Sequence, residues 1–243
     1  MSVRRRTDPA MTQRIWDAIK ITINQRSLPS NDRIVRHFAR VYNMTEHAAQ
    51  EELNTAVSDG LVFLKKVQTK SGIDQESYRL PLEPADDDGH DWYCYECHKA
   101  GHVVSCRQCF RVFHYDCHVS NDQDDKICEF CEEINADDKH TDTAALNHIL
   151  SFTCGHLKAK LPQEITNRKI VGDSSTIEVP AGALVGPTWI SEGEDAWRPG
   201  MLIKKHMDLT IMEEKTKRNE YKCLAEFQAD AHNIMHNIII YHG

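Results

Sequence analysis

The amino-acid sequence predicts a multidomain, mainly α protein with a small zinc-stapled module near its middle. Three observations predict it. Eight Cys and His residues fall in pairs within residues 94–131, apolar residues recur at helical spacing on both sides of that stretch, and charge is spread unevenly over the 243 residues. A chain of this length holds two or three small domains. Lys/Arg outnumber Asp/Glu by 13 to 9 in residues 1–80, while residues 81–140 carry 5 against 15 and residues 141–243 carry 11 against 13. A basic front beside an acidic middle suits one part for a polyanion and another for a basic partner. The divisions read as a basic tail at 1–10, a helical unit with a hairpin at 11–82, an acidic linker at 83–90, the cysteine module at 91–134, a polar joint at 135–143 and a helical region at 144–243.

In the front unit, Ile15, Trp16, Ile19 and Ile23 follow an Asp8-Pro9 start, and proline suits a first helical turn. Ile34, Val35, Phe38 and Val41 mark a second helix capped by Ser30 or Asn31. A third runs from cap Thr45 through Ala49, Leu53 and Val57 to Gly60, which fits a C-cap. Leu61–Val67 then reads as a strand, Lys70-Ser71-Gly72 as a turn and Ser77–Leu80 as the partner strand. Three helices and a hairpin in this order make a winged helix. The stretches 59–67 and 77–81 resemble the winged-helix domain that opens certain chromatin proteins, which implies binding to unmethylated CpG DNA. The third helix would place Glu46, Glu51 and Glu52 against phosphates, which repel them. The DNA-contact candidates therefore lie elsewhere: Arg33, Arg36 and Arg40 on the second helix, Lys65, Lys66 and Lys70 at the hairpin, and the Arg4-Arg5-Arg6 tail. A winged helix that binds protein instead is the alternative.

The metal ligands are Cys94-x2-Cys97-x8-Cys106-x2-Cys109-x4-His114-x2-Cys117-x10-Cys128-x2-Cys131. A two-residue spacer lets one tight turn aim two donors at one ion, and a structural zinc takes four donors in a tetrahedron. Four pairs make two closed sites with no coordination position left for water, so the zinc is structural. A disulfide framework fits poorly, because no signal-peptide pattern opens the chain and the nine cysteines are odd in number. Cys154 and Cys223 lie on helical patterns and read as small buried side chains.

Four Cys, then His, then three Cys resembles the PHD finger; a RING finger places its His fourth. The resemblance implies interleaving, with Cys94, Cys97, His114 and Cys117 on one zinc and Cys106, Cys109, Cys128 and Cys131 on the other. It also implies a histone H3 tail added as an extra strand near the second Cys pair. Tyr93, with Trp92 beside it, matches the position whose aromatic face holds a methylated lysine in some members. Two positions depart from the family: Lys126 stands where it has Trp, and Arg107-Gln108 replaces an acid. Arg107 repels a histone arginine where the family attracts it.

In the C-terminal region, Leu146, Ile149, Leu150 and Leu157 mark a helix ending before Pro162, and a Gly/Pro-containing stretch with Trp189 and Trp197 runs to Gly200. The ordered set Met207-Asp208-Leu209-Thr210-Ile211, Tyr221, Phe227, Asp230, Asn237 and Tyr241 resembles the second and third helices of a bromodomain. His242, after Tyr241, takes the place of the Asn that donates to acetyl-lysine in that family. The bundle is incomplete, because the chain stops at Gly243 before a last helix, which predicts a fragment, a short isoform or a bundle completed by a partner. An exposed apolar face of Ile234, Ile238 and Tyr241 is expected to pack on the cysteine module or a partner.

Together these parts resemble the amino-terminal portion of the zinc finger MYND domain-containing co-repressors. That resemblance implies a nuclear regulator of transcription that binds chromatin, through a histone tail or DNA, and transcriptional co-regulators. No paired acid and base, nucleophile elbow or phosphate loop appears, so neither an enzyme nor a small-molecule substrate is expected. The longest apolar run, Ile238–Tyr241, is too short to span a bilayer. The alternatives are a repressor led by DNA binding and a RING-like ubiquitin ligase, the latter disfavoured by the fifth-place His.

Overall fold

Pro9 opens the first helix of the computed structural model, with Asp8 in the extended conformation of an N-cap. The structure describes residues 2–68, 74–81, 88–117, 127–137, 142–161 and 197–242. Lys70, Lys126, Trp189 and most of the 83–90 linker lie outside these residues, as do the side chains of Trp197 and His242. Helices α1 (Pro9–Asn24), α2 (Asn31–Tyr42) and α3 (Glu46–Ser58) pack around Ile15, Trp16, Ile19, Ile34, Phe38 and Leu53. Their spacing is the predicted one. Thr45 Oγ1 accepts from the Ala48 amide at 3.2 Å, which satisfies a donor freed at the start of α3. At its end Gly60 takes φ +70°, the Leu61 amide donates to Ala56 and the Gly60 amide to Val57, so the backbone reverses as a Schellman turn. Trp16 Nε1 donates to the Leu61 carbonyl at 2.8 Å, fixing the chain as it leaves that turn. Strand β2 (Phe63–Gln68) pairs antiparallel with β3 (Asp74–Arg79), and Tyr78 anchors the hairpin by donating its amide to Pro29.

The expected basic tail is instead partly a strand. Ser2–Arg5 forms β1, which pairs antiparallel with β4 (Gly101–Ser105) of the cysteine module, and β4 pairs on its other edge with β5 (Val112–His114). Arg5 is 1% exposed, so it is not available to phosphates. Nothing in the local pattern Arg-Arg-Arg signals this, because burial of the middle arginine depends on groups more than eighty residues away. Helix α4 (Glu129–Ala136) closes the module.

In the C-terminal region α5 (Thr143–Lys160) packs along α7 (Leu209–Lys217), and α8 (Leu224–His242) crosses α7, α4 and α1. A short α6 (Trp197–Leu202) packs on α8. Met207, Asp208, Leu209, Tyr221, Phe227, Asp230, Asn237 and Tyr241 are all buried. Asp208 caps α7 by accepting from the Ile211 amide at 2.7 Å, and the Tyr221 hydroxyl donates to Asp230 at 2.9 Å. The expected exposed face on α8 is corrected: Ile234 faces the bundle core, and Tyr241 joins the core around α1. Cys154 and Cys223 are buried, as expected.

Candidate metal centre and the junction around it

The module begins where β4 and β5 bring distant cysteine pairs onto one another. Cys94, Cys97, His114 and Cys117 form one group and Cys106, Cys109, Cys128 and Cys131 a second, with all donor atoms of each group within 4.8 Å of one another. Tetrahedral zinc with bonds near 2.3 Å holds sulfurs about 3.8 Å apart. Cys106 and Cys131 Sγ atoms lie 3.9 Å apart and those of Cys109 and Cys128 3.6 Å. His114 Nδ1 sits 3.1 Å from Cys97 Sγ and 3.8 Å from Cys117 Sγ. Each group can hold one zinc ion, and neither leaves a fourth position to water.

Neighbouring groups prepare the donors. His114 Nε2 lies 3.2 Å from the Ala100 carbonyl, which fixes its proton there and leaves Nδ1 as the ligand. Gly101 makes room: its φ is +138°, and a Cβ there would meet His114 Nε2 at 2.9 Å. Amides of Gln108 and Cys128 point at Cys106 Sγ, and that of His114 at Cys94 Sγ. Hydrogen bonds from Cys109 and Cys128 pull the Cys106 thiol down, while burial and the neighbouring sulfurs push Cys117 and Cys131 up to about 12. Sulfurs so close ionise together only around a cation, which a zinc ion held by each group would supply.

The module is fixed to the rest of the chain by charged side chains that sequence reading did not single out. Arg111, 5% exposed, stacks over Tyr95, Phe110 and Phe130 and donates Nη2 to the Ala229 carbonyl of α8 at 3.1 Å. His236 of α8 stacks on Tyr95 at 4.5 Å and reaches Asp91 through Nε2 at 3.1 Å. With Nε2–H donated to the carboxylate, His236 Nδ1 accepts from His98 Nδ1 at 2.9 Å. Burial, and then His236, lower the His98 pKa to about 4. Arg111 carried one local signal, a lone charge inside the apolar run Phe110–Phe113. Asp91 and His236 carried none.

Trp92 and Tyr93 come together, but their faces are taken. The Arg5 guanidinium lies 4.2 Å over the Trp92 ring and 5.5 Å from that of Tyr93, and donates to the Tyr93 hydroxyl and the Met201 carbonyl. Tyr93 is fully buried and Trp92 7% exposed. Arg33, Arg36 and Arg40 are exposed and line a cleft of about 450 Å³ between α1 and α2 with Ile21, Gln25 and His37. Lys65 and Lys66 are exposed on β2. Tyr241 lies under Arg198, and its carbonyl accepts from Gln13 Nε2 of α1 at 2.5 Å. No described helix is long and apolar enough to cross a membrane.

A family model described as bromodomain matches residues 197–243, which are α6 to the end of α8. The chain is also 26% identical over 164 residues to the E3 ubiquitin-protein ligase TRIM33 of Homo sapiens, covering 63% of this chain and 14% of that protein. The Mus musculus TRIM33 is 26% identical over 163 residues, with 63% and 13% covered. The chain thus spans about a seventh of the length of these curated relatives, and the likeness is to a segment of them.

Proposed function

We propose that the protein is a non-enzymatic chromatin-associated reader and scaffold that acts in the nucleus and represses transcription. In this reading the front unit is a winged helix, the cysteine module a PHD-type finger and α5–α8 a degenerate bromodomain, in the order of the zinc finger MYND domain-containing co-repressors. The observation that carries it is the junction itself: two closed four-donor clusters seated, through Arg111 and the Asp91–His236 contact, on the helix that the bromodomain model matches. Its partners are then a histone tail or DNA together with transcriptional co-regulators. The exposed arginines of α2 and the hairpin lysines favour DNA phosphates as one contact.

The name of the matched relatives brings a ligase to mind. A RING holds closed structural zinc as well, so the closed sites do not separate the two readings; His114 as fifth ligand favours the PHD-type order over the RING order, whose His stands fourth. Acetyl-lysine reading by the bromodomain's usual mode is also disfavoured, since a neutral imidazole at His242 has a single N–H donor, placed differently from an amide's. The α8 end that carries it is packed against α1. The purified zinc-loaded chain, tested on modified-histone peptides and DNA, is expected to bind at least one of them, with acetylated and unmodified peptides held equally or not at all. It is expected to release no ubiquitin from a charged conjugating enzyme. Ubiquitin discharge, or an acetyl preference abolished by His242→Ala, would refute the corresponding part of this reading.

A further inference from the structure

We propose that Ser2–Arg5 is a built-in ligand of the cysteine module, a strand that occupies in cis the β4 edge at which an extended arginine-bearing peptide would add. It rests on the reading of the module as a peptide-docking finger. The backbone register is explicit: Ser2 lies opposite Val103, Val3 opposite His102 and, after a bulge, Arg5 opposite Gly101. β5 already covers the other edge of β4, so β1 holds the one place in this sheet where a strand can be added beside β4.

The side chains are those of a bound peptide. Arginine is almost never fully buried unless paired, yet Arg5 is 1% exposed. Its seat comes from two regions far apart in sequence: the Trp92 and Tyr93 rings of the module and the Met201 carbonyl at the end of α6. Arg5 Nη2 is buried with no hydrogen-bond partner among the described residues. The seat therefore accepts a guanidinium through ring faces and two oxygens without a carboxylate, a weaker hold than a paired buried charge has. Arg4 reaches the His90 carbonyl and the Asp88 carboxylate. Behind the strand, the amides of Arg6 and Thr7 both donate to Asp59 at 2.8 Å, and Asp8 accepts from the Ala100 amide at 2.7 Å. These contacts tether a four-residue strand next to its site.

Such a tether sets the local concentration of β1 in the millimolar range for a short linker, so a free peptide of similar intrinsic affinity is excluded until β1 lifts. The test uses the full zinc-loaded chain, a variant lacking residues 2–5 and Arg5→Ala. The probe is a fluorescent peptide of this chain's own residues 1–8, read by anisotropy beside hydrogen exchange of β4. Removal of residues 2–5 is expected to tighten peptide binding at least tenfold over the intact chain. In both variants the β4 amides should exchange at least tenfold faster, with two zinc ions retained and β5 still protected. Should the deletion lose zinc, Arg5→Ala gives the exchange result alone. A zinc-loaded variant with unchanged β4 exchange, or a deletion that binds the peptide no better than the intact chain, overturns the proposal. So do amides of residues 3–5 that exchange at unstructured rates in the intact chain. Because the probe is the chain's own sequence, failure to bind histone or DNA bears only on the functional reading.

Discussion

At residue scale the first metal cluster depends on positions that ligate nothing. His114 presents Nδ1 to the sulfurs because Nε2 is held by the Ala100 carbonyl, and that approach is open because residue 101 has no Cβ. Gly101→Ala is therefore expected to cost about 1–3 kcal/mol, from the left-handed backbone and the contact with the ring, and to weaken zinc at that cluster first. Elemental analysis after mild chelator should then give one zinc per chain where the parent keeps two; equal retention would show that the ring can move aside. Gly155 makes the contrasting case. It lies inside α5, and a methyl group added to it would meet nothing within 4 Å, so Gly155→Ala should stabilise by about 0.5–1 kcal/mol in thermal or denaturant unfolding.

At the scale of elements, the front helices were legible because each carries a repeated apolar spacing and a start or stop signal. Thr45 caps α3 and Gly60 ends it as their chemistry requires. The hairpin was legible too, though its β2 strand is largely exposed, with Phe63 at 50% and Leu64 at 44%. The same distribution of charge sets the expectation for the proposed DNA contact. Lys65→Glu with Lys66→Glu should weaken binding and flatten its salt dependence, since each lost phosphate contact releases fewer counterions. Arg33→Ala and Arg36→Ala should act in the same direction, because both side chains border the α1–α2 cleft. Glu51→Ala with Glu52→Ala strengthens binding only if α3 approaches the duplex. A salt titration that leaves the lysine variant with the parent's slope would move the contact away from the hairpin.

At the scale of the whole molecule the sequence was least informative. Spacing revealed the eight ligands, and resemblance gave their interleaving, because those donors recur at short intervals. The burial of Arg5, Arg111, Asp91 and His236 has no periodicity, for each is paired with groups far along the chain. One core in fact runs across the divisions, since Trp92, Tyr93, Met201, Ile240 and Tyr241 pack with the α1–α3 residues. That continuity changes what zinc removal should do. Zinc contributes on the order of 10 kcal/mol per structural site, and a module of some forty residues has too little core to fold without it. Its loss frees Asp91, Tyr95 and Arg111, which hold the middle of α8. Within that shared core Trp16, Phe38 and Leu53 sit on α1, α2 and α3, which also pack directly on one another, and these contacts should survive. Chelation followed by hydrogen exchange is thus expected to strip protection from β4, β5 and the Ala229–Asn237 part of α8, while α1–α3 stay protected. His114→Ala should do the same in part. If α8 keeps its full protection in a chain shown to hold no zinc, the bundle stands without the module and the junction carries no stability.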